Sequence, residues 1–103
     1  MKDHRLVLWF PVGALTTGDA RSIDERLRHG RTDGLTASSA IEHCHESLEA
    51  SSDARIRTEI VDGRVLVLLL PPEDAVTLAG EVLDRAKTHG LVLFDPQADQ
   101  LFW

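Results

Sequence analysis

The segment from Arg55 to Leu70 constrains the fold more than any other part of the chain. Two runs rich in β-branched and apolar residues, Arg55-Ile56-Arg57-Thr58-Glu59-Ile60-Val61 and Arg64-Val65-Leu66-Val67-Leu68-Leu69-Leu70, are separated only by Asp62-Gly63. Asp-Gly suits the positive φ angles of a type I′ turn, so the segment reads as a β-hairpin. A two-residue loop sets Val61 opposite Arg64 and pairs Ile60, Thr58 and Ile56 with Val65, Val67 and Leu69 on one face. The other face combines Glu59, Arg57 and Arg55 with Leu66, Leu68 and Leu70.

Leu6-Val7-Leu8-Trp9-Phe10 is apolar at successive positions and bounded by Pro11 and Gly13, which marks an interior strand at the centre of a sheet. Thr16-Thr17-Gly18-Asp19 carries turn and cap chemistry. Asp19 is expected to cap a helix with Ala20, Ile23 and Leu27 inside and Gly30 as its stop. After the loop Arg31 to Leu35, Thr36 is expected to cap a second helix that ends near Ala50. Its inner stripe is Ala37, Ala40, Ile41, Cys44 and Leu48. Pro71-Pro72-Glu73-Asp74 opens a third helix, with proline and acids first, and Gly90 ends it. Ala75, Leu78, Ala79, Val82, Leu83 and Ala86 form its inner stripe. Leu91 to Phe94 returns as a strand, Asp95-Pro96 turns the chain, and Leu101-Phe102-Trp103 adds a short final strand.

The order is therefore β-α-α-β-β-α-β-(β), in a single domain spanning residues 1–103. Short connections and a hairpin favour an α+β, ferredoxin-like sandwich: an antiparallel sheet with its helices mainly on one face. A three-layer arrangement, with a helix on each side of the sheet, is the alternative.

Composition narrows the function. Hydrophobic residues at 43% and charged residues at 27% are ordinary globular usage. The formal charge of −6 is uneven: residues 1–57 hold eight Lys or Arg against nine Asp or Glu, and residues 58–103 hold three against eight. Such a field disfavours nucleic acid and anionic lipid and favours a basic protein surface as partner. The single cysteine, Cys44, excludes an internal disulfide and CxxC motifs and fits a reducing cytoplasm. The apolar run behind Met1 stops at Pro11 to Gly13, too early for a signal peptide. No stretch is apolar for long enough to span a bilayer, so neither export nor a membrane partner is expected.

Glu42-His43-Cys44-His45-Glu46 holds several metal-ligand types, yet on a helix His43 and His45 point to nearly opposite sides and cannot chelate one ion. Cys44 faces inward, with its neighbouring histidines turned away, so it reads as structural. Ser38-Ser39 lies in a helix's first turn, without the glycine-flanked elbow of a serine nucleophile. No glycine-rich phosphate loop occurs. Arg21, Arg26, Arg28 and Arg31 could hold an anion. Arg21 with Glu25 and Asp24 with Arg28, however, are the i, i+4 pairs of a solvated helix face. No catalytic residue, cofactor or metal is expected.

Three strands, 6–10, 65–70 and 91–94, are apolar on both faces, while a helix-on-sheet sandwich covers one. The open face is expected to present Leu66, Leu68, Leu70 and Val92 to a second copy, as a homodimer, or to a protein partner. A pocket between helices and sheet near Trp9, His89, Asp95 and Gln97 is the site expected of the rival class, a small dimeric α+β enzyme or metabolite-binding domain.

The string His89-Gly90-Leu91-Val92-Leu93-Phe94-Asp95-Pro96-Gln97 resembles the C-terminal portion of small bacterial proteins in which a helix runs into an HGLV-x-F-D-P-Q-like strand and turn. The resemblance covers the third helix and this motif. Most of these proteins are uncharacterised and some belong with immunity proteins that neutralise toxins delivered between bacteria, so the resemblance implies a non-catalytic, cytoplasmic antitoxin with a toxin as partner. The motif's residues also have backbone reasons: glycine to end the helix, β-formers to cross the sheet, proline to turn. Gln97 alone has none in the sequence.

Overall fold

A computed structural model describes residues 3–11, 16–51 and 56–102, with the backbone alone at Ser51. The elements are β1 (His4–Trp9), α1 (Thr17–Arg28), α2 (Ser39–Ser51), β2 (Arg57–Val61), β3 (Val65–Leu70), α3 (Ala75–Thr88), β4 (Val92–Asp95) and β5 (Gln100–Phe102), with a 3-10 turn at Pro72–Asp74 leading into α3. The fold is α+β, with one antiparallel sheet in the order β2-β3-β1-β4-β5. Among the described residues no helix is long and apolar enough to cross a membrane.

The sheet is covered on both faces, which corrects the expectation of helices mainly on one. Leu6, Leu8, Leu66, Leu68, Leu70 and Leu93 point to one side and pack under α2 and α3, against Ile41, Cys44, Leu48, Leu78 and Val82. Val7, Trp9, Val65, Val92 and Phe94 point to the other side and pack under α1, against Ala20, Ile23 and Leu27. Strands apolar at successive positions need cover on both faces, and the chain's own first helix supplies the second cover. The proposed contact patch is therefore interior. Leu66, Leu68 and Leu70 are 0% exposed, Val92 is 1%, and Val92 lies on the face opposite the three leucines.

The hairpin forms, with its register shifted by one residue. Asp62 and Gly63 take φ of 54° and 66°, and the Arg64 amide donates to the Val61 carbonyl at 3.0 Å, as a type I′ turn requires. Pairing, however, resumes at Val61↔Val65 and runs to Arg57↔Leu69, leaving Arg64 out of the ladder. A one-residue slip exchanges faces, so Thr58 and Ile60 join the leucine face, while Arg57 and Glu59 stand beside Leu69 and Val67. The reason lies outside the hairpin. The loop after α1 passes around the turn, where the Thr32 hydroxyl donates to Asp62 at 2.9 Å and Arg64 Nη1 donates to the Thr32 carbonyl at 3.4 Å.

Two helix starts also differ from expectation. Thr16 caps α1: its hydroxyl accepts from the Asp19 amide at 3.1 Å while the Asp19 carboxylate accepts from the Thr16 amide at 3.1 Å, a reciprocal capping box. α2 begins at Ser39, where the Ser38 hydroxyl accepts from the Ala40 amide at 3.1 Å, so Thr36 and Ala37 precede the helix and are exposed. Gly30 and Gly90, with φ of 74° and 71°, take the left-handed conformation just past α1 and α3. Phe10 lies beyond β1 and Trp103 outside the described residues.

Candidate functional site

A concavity on the described surface lies between α1 and the turn joining β4 to β5. It is a cleft of about 610 Å³, lined by Arg21, Asp24, Glu25, Arg28, His29, Phe94, Pro96 and Asp99. Helical spacing sets Arg21, Asp24, Glu25 and Arg28 along one side of α1, and the turn after Asp95 carries Asp99 towards them.

Most of the cleft's charges are held in ion pairs. Arg21 grips Asp99 with two bonds, Nε donating to Oδ1 at 2.9 Å and Nη2 to Oδ2 at 2.6 Å. The paired guanidinium holds the Asp99 carboxyl below its ordinary range, and that carboxylate in turn raises Arg21. Asp24 is only 4% exposed and accepts from Arg5 Nη1 and, at 3.2 Å, from Arg28 Nε. A buried carboxylate requires such partners, and Asp24 locks α1 to the first strand through Arg5. The arginine group read from sequence is thus distributed: Asp24–Arg28 forms as expected, whereas Arg21 pairs with Asp99 rather than Glu25.

Asp95 and Gln97 do come together, but as the frame of the turn. Asp95 Oδ1 accepts from the Gln97 and Ala98 amides at 3.1 and 3.2 Å, while Oδ2 lies 2.9 Å from His4 Nε2. The Gln97 side chain accepts from the Arg5 amide at 2.7 Å and donates to the Arg5 carbonyl at 2.7 Å. The other residues expected in this pocket are elsewhere. Trp9 is 1% exposed and stacks obliquely on Phe94 beneath α1, its ring centroid 6.5 Å away. In the ladder it pairs with Val92, at the end of β4 remote from Asp95. His89 caps the C-terminus of α3, its amide donating to the Arg85 carbonyl at 3.1 Å.

The reactive side chains are separated. Cys44 is 0% exposed and burial pushes its thiol up to about 11, so it is a neutral core group at physiological pH. His43 is exposed, while His45 Nε2 lies 2.8 Å from Thr58 Oγ1 and 3.0 Å from Glu49 Oε1. No three potential metal ligands converge among the described residues.

A second surface stands out by charge. The exposed sides of α2 and α3 present Glu42, Glu46, Glu49, Glu81 and Asp84, with Lys87 as their exposed cation. The two helices pack side by side, and Arg85 Nη1 donates to the Ser47 hydroxyl at 3.2 Å. α1 lies on the opposite side of the sheet, and two of its arginines, Arg21 and Arg28, are held in the ion pairs described above. Neither surface had a local signature in the sequence: Arg21 and Asp99 are 78 residues apart, and two acidic helix faces make one field only once the helices are adjacent. No protein-family model matches the chain, and neither a curated protein nor a solved structure matches it.

Proposed function

We propose that the chain is a non-catalytic protein-binding module of the toxin-neutralising, immunity-protein kind, acting in the cytoplasm on a partner with a basic surface. The observation that carries this reading is the separation of charge across the sheet, with an acidic helical layer on one side and ion-paired arginines on the other. Such a field speeds and orients encounter with a basic partner and is weakened by salt. The burial of Cys44 and the anchoring of His4 and His45 support a binding rather than a catalytic role. The sheet order β2-β3-β1-β4, with α2 and α3 on one side, supports a ferredoxin-like sandwich. α1 is then an added cover on its second face and β5 an added edge.

The test is co-expression with any toxic domain that a neighbouring gene proves to encode, together with calorimetric titration of the purified pair. Rescue of growth is expected, along with binding that weakens at high salt and is lost in a Glu46→Lys, Glu81→Lys double variant. A pair that neither binds nor protects contradicts the reading. The cleft is within the size range of small-molecule sites and favours the second reading, a metabolite-binding or enzymatic domain. A stoichiometric small molecule retained in native mass spectrometry would select it.

A further inference from the structure

We infer that the outer edge of β2 is a self-association surface, pairing antiparallel with β2 of a second copy of this chain in a register centred on Thr58. β2 ends the sheet, so one side of its backbone has no neighbouring strand among the described residues. An edge of this kind is a template for a further strand, and what selects its partner is the side-chain pattern.

That pattern is self-complementary about one residue. With Thr58 of the two copies opposite each other, Arg57 of each copy faces Glu59 of the other, so the joint carries two opposite-charge pairs on one side of the sheet. On the other side, Ile56 of each copy faces Ile60 of the other. Both are half-buried and already pack against the leucine core, so the pairing prolongs an apolar face. The neighbouring registers lack this property: centring on Arg57 or on Glu59 sets a like charge opposite itself, which is destabilising.

The surroundings fit the same joint. On the charged side Arg57 and Glu59 stand beside the half-buried Leu69 and Val67, and these residues border a hollow of about 130 Å³ that a second sheet would extend. Arg57 already donates to Asp3 through Nη2, and a guanidinium has five N–H donors, enough to take a second carboxylate arriving across the edge. Thr58 is fixed from the helical side by His45, 2.8 Å away. The edge is distinct from the acidic helix faces, and the inference does not depend on the function proposed above.

Light scattering on a size-exclusion column, repeated across protein concentration, tests it with four proteins: the parent chain, Glu59→Arg, Arg57→Glu, and the double variant carrying both changes. Both positions are exposed, and circular dichroism verifies that each variant is folded. The parent is expected to dimerise, each single variant to weaken dimerisation at least tenfold, and the double variant to recover it. A parent that is monomeric at every concentration overturns the inference. So does a set of folded variants that all associate like the parent, because association would then be indifferent to the charges that define the register.

Discussion

The amide of Gln97 sits where the chain can no longer offer backbone partners to Arg5. Extending the Val7↔Phe94 register by two residues puts Pro96 opposite Arg5, and proline has no N–H to give. The Gln97 side chain supplies both a donor and an acceptor in its place. Its role was illegible in the sequence because it depends on that register and on a residue 92 positions away. Gln97→Ala should lower the unfolding free energy in urea by about 1–2 kcal/mol, the usual worth of two such bonds. A variant of unchanged stability with altered partner binding would instead make Gln97 a recognition residue. Cys44 shows the opposite situation, since its inward position was readable from helical periodicity alone. A thiol raised from 9.0 to about 11 by burial keeps its proton in the folded state after the unfolded chain has lost it. The stability this contributes is complete below pH 9 and is lost as pH rises through 11. Denaturation midpoints of the parent and Cys44→Ala should therefore diverge less at pH 10.5 than at pH 8, and a constant gap would contradict the burial.

At the scale of elements, periodicity and turn chemistry reveal what forms, and less of where it goes. The hairpin, the central strand and the inner stripe of α3 follow from residue patterns that are local and strong. Register moved where a side chain had a distant commitment, and a helix boundary moved where a neighbouring residue supplied the cap. Arg64 leaves the ladder to reach Thr32, and Asp19 serves at the third position of α1 because Thr16 is free to cap. Which face a helix covers is not written in its own stripe: α1 and α2 are both amphipathic, and they lie on opposite sides of the sheet. The capping box gives a direct check on α1. Thr16→Ala should cost about 1 kcal/mol and should accelerate amide exchange in α1 more than in α3. Equal acceleration in both helices would show that α1 does not open as a separate unit.

At the scale of the whole molecule, two observations that looked contradictory have one explanation. Strands apolar on both faces suggested an exposed sheet in search of a partner, yet the same pattern is what a sheet buried between two helical layers requires. Once both faces belong to the core, the surfaces left open to solvent include the sheet edge, the cleft beside α1 and the acidic helical layer. The most direct test of this closed sheet is Leu68→Glu, examined by circular dichroism and urea denaturation. Leu68 is 0% exposed beneath α2 and α3. An unpaired carboxylate there costs several kcal/mol, a large part of the about 5–15 kcal/mol that holds a domain together. The predicted result is loss of the cooperative unfolding transition. A Leu68→Glu protein that stays folded and as stable as the parent would return the leucine face to the surface and contradict the account.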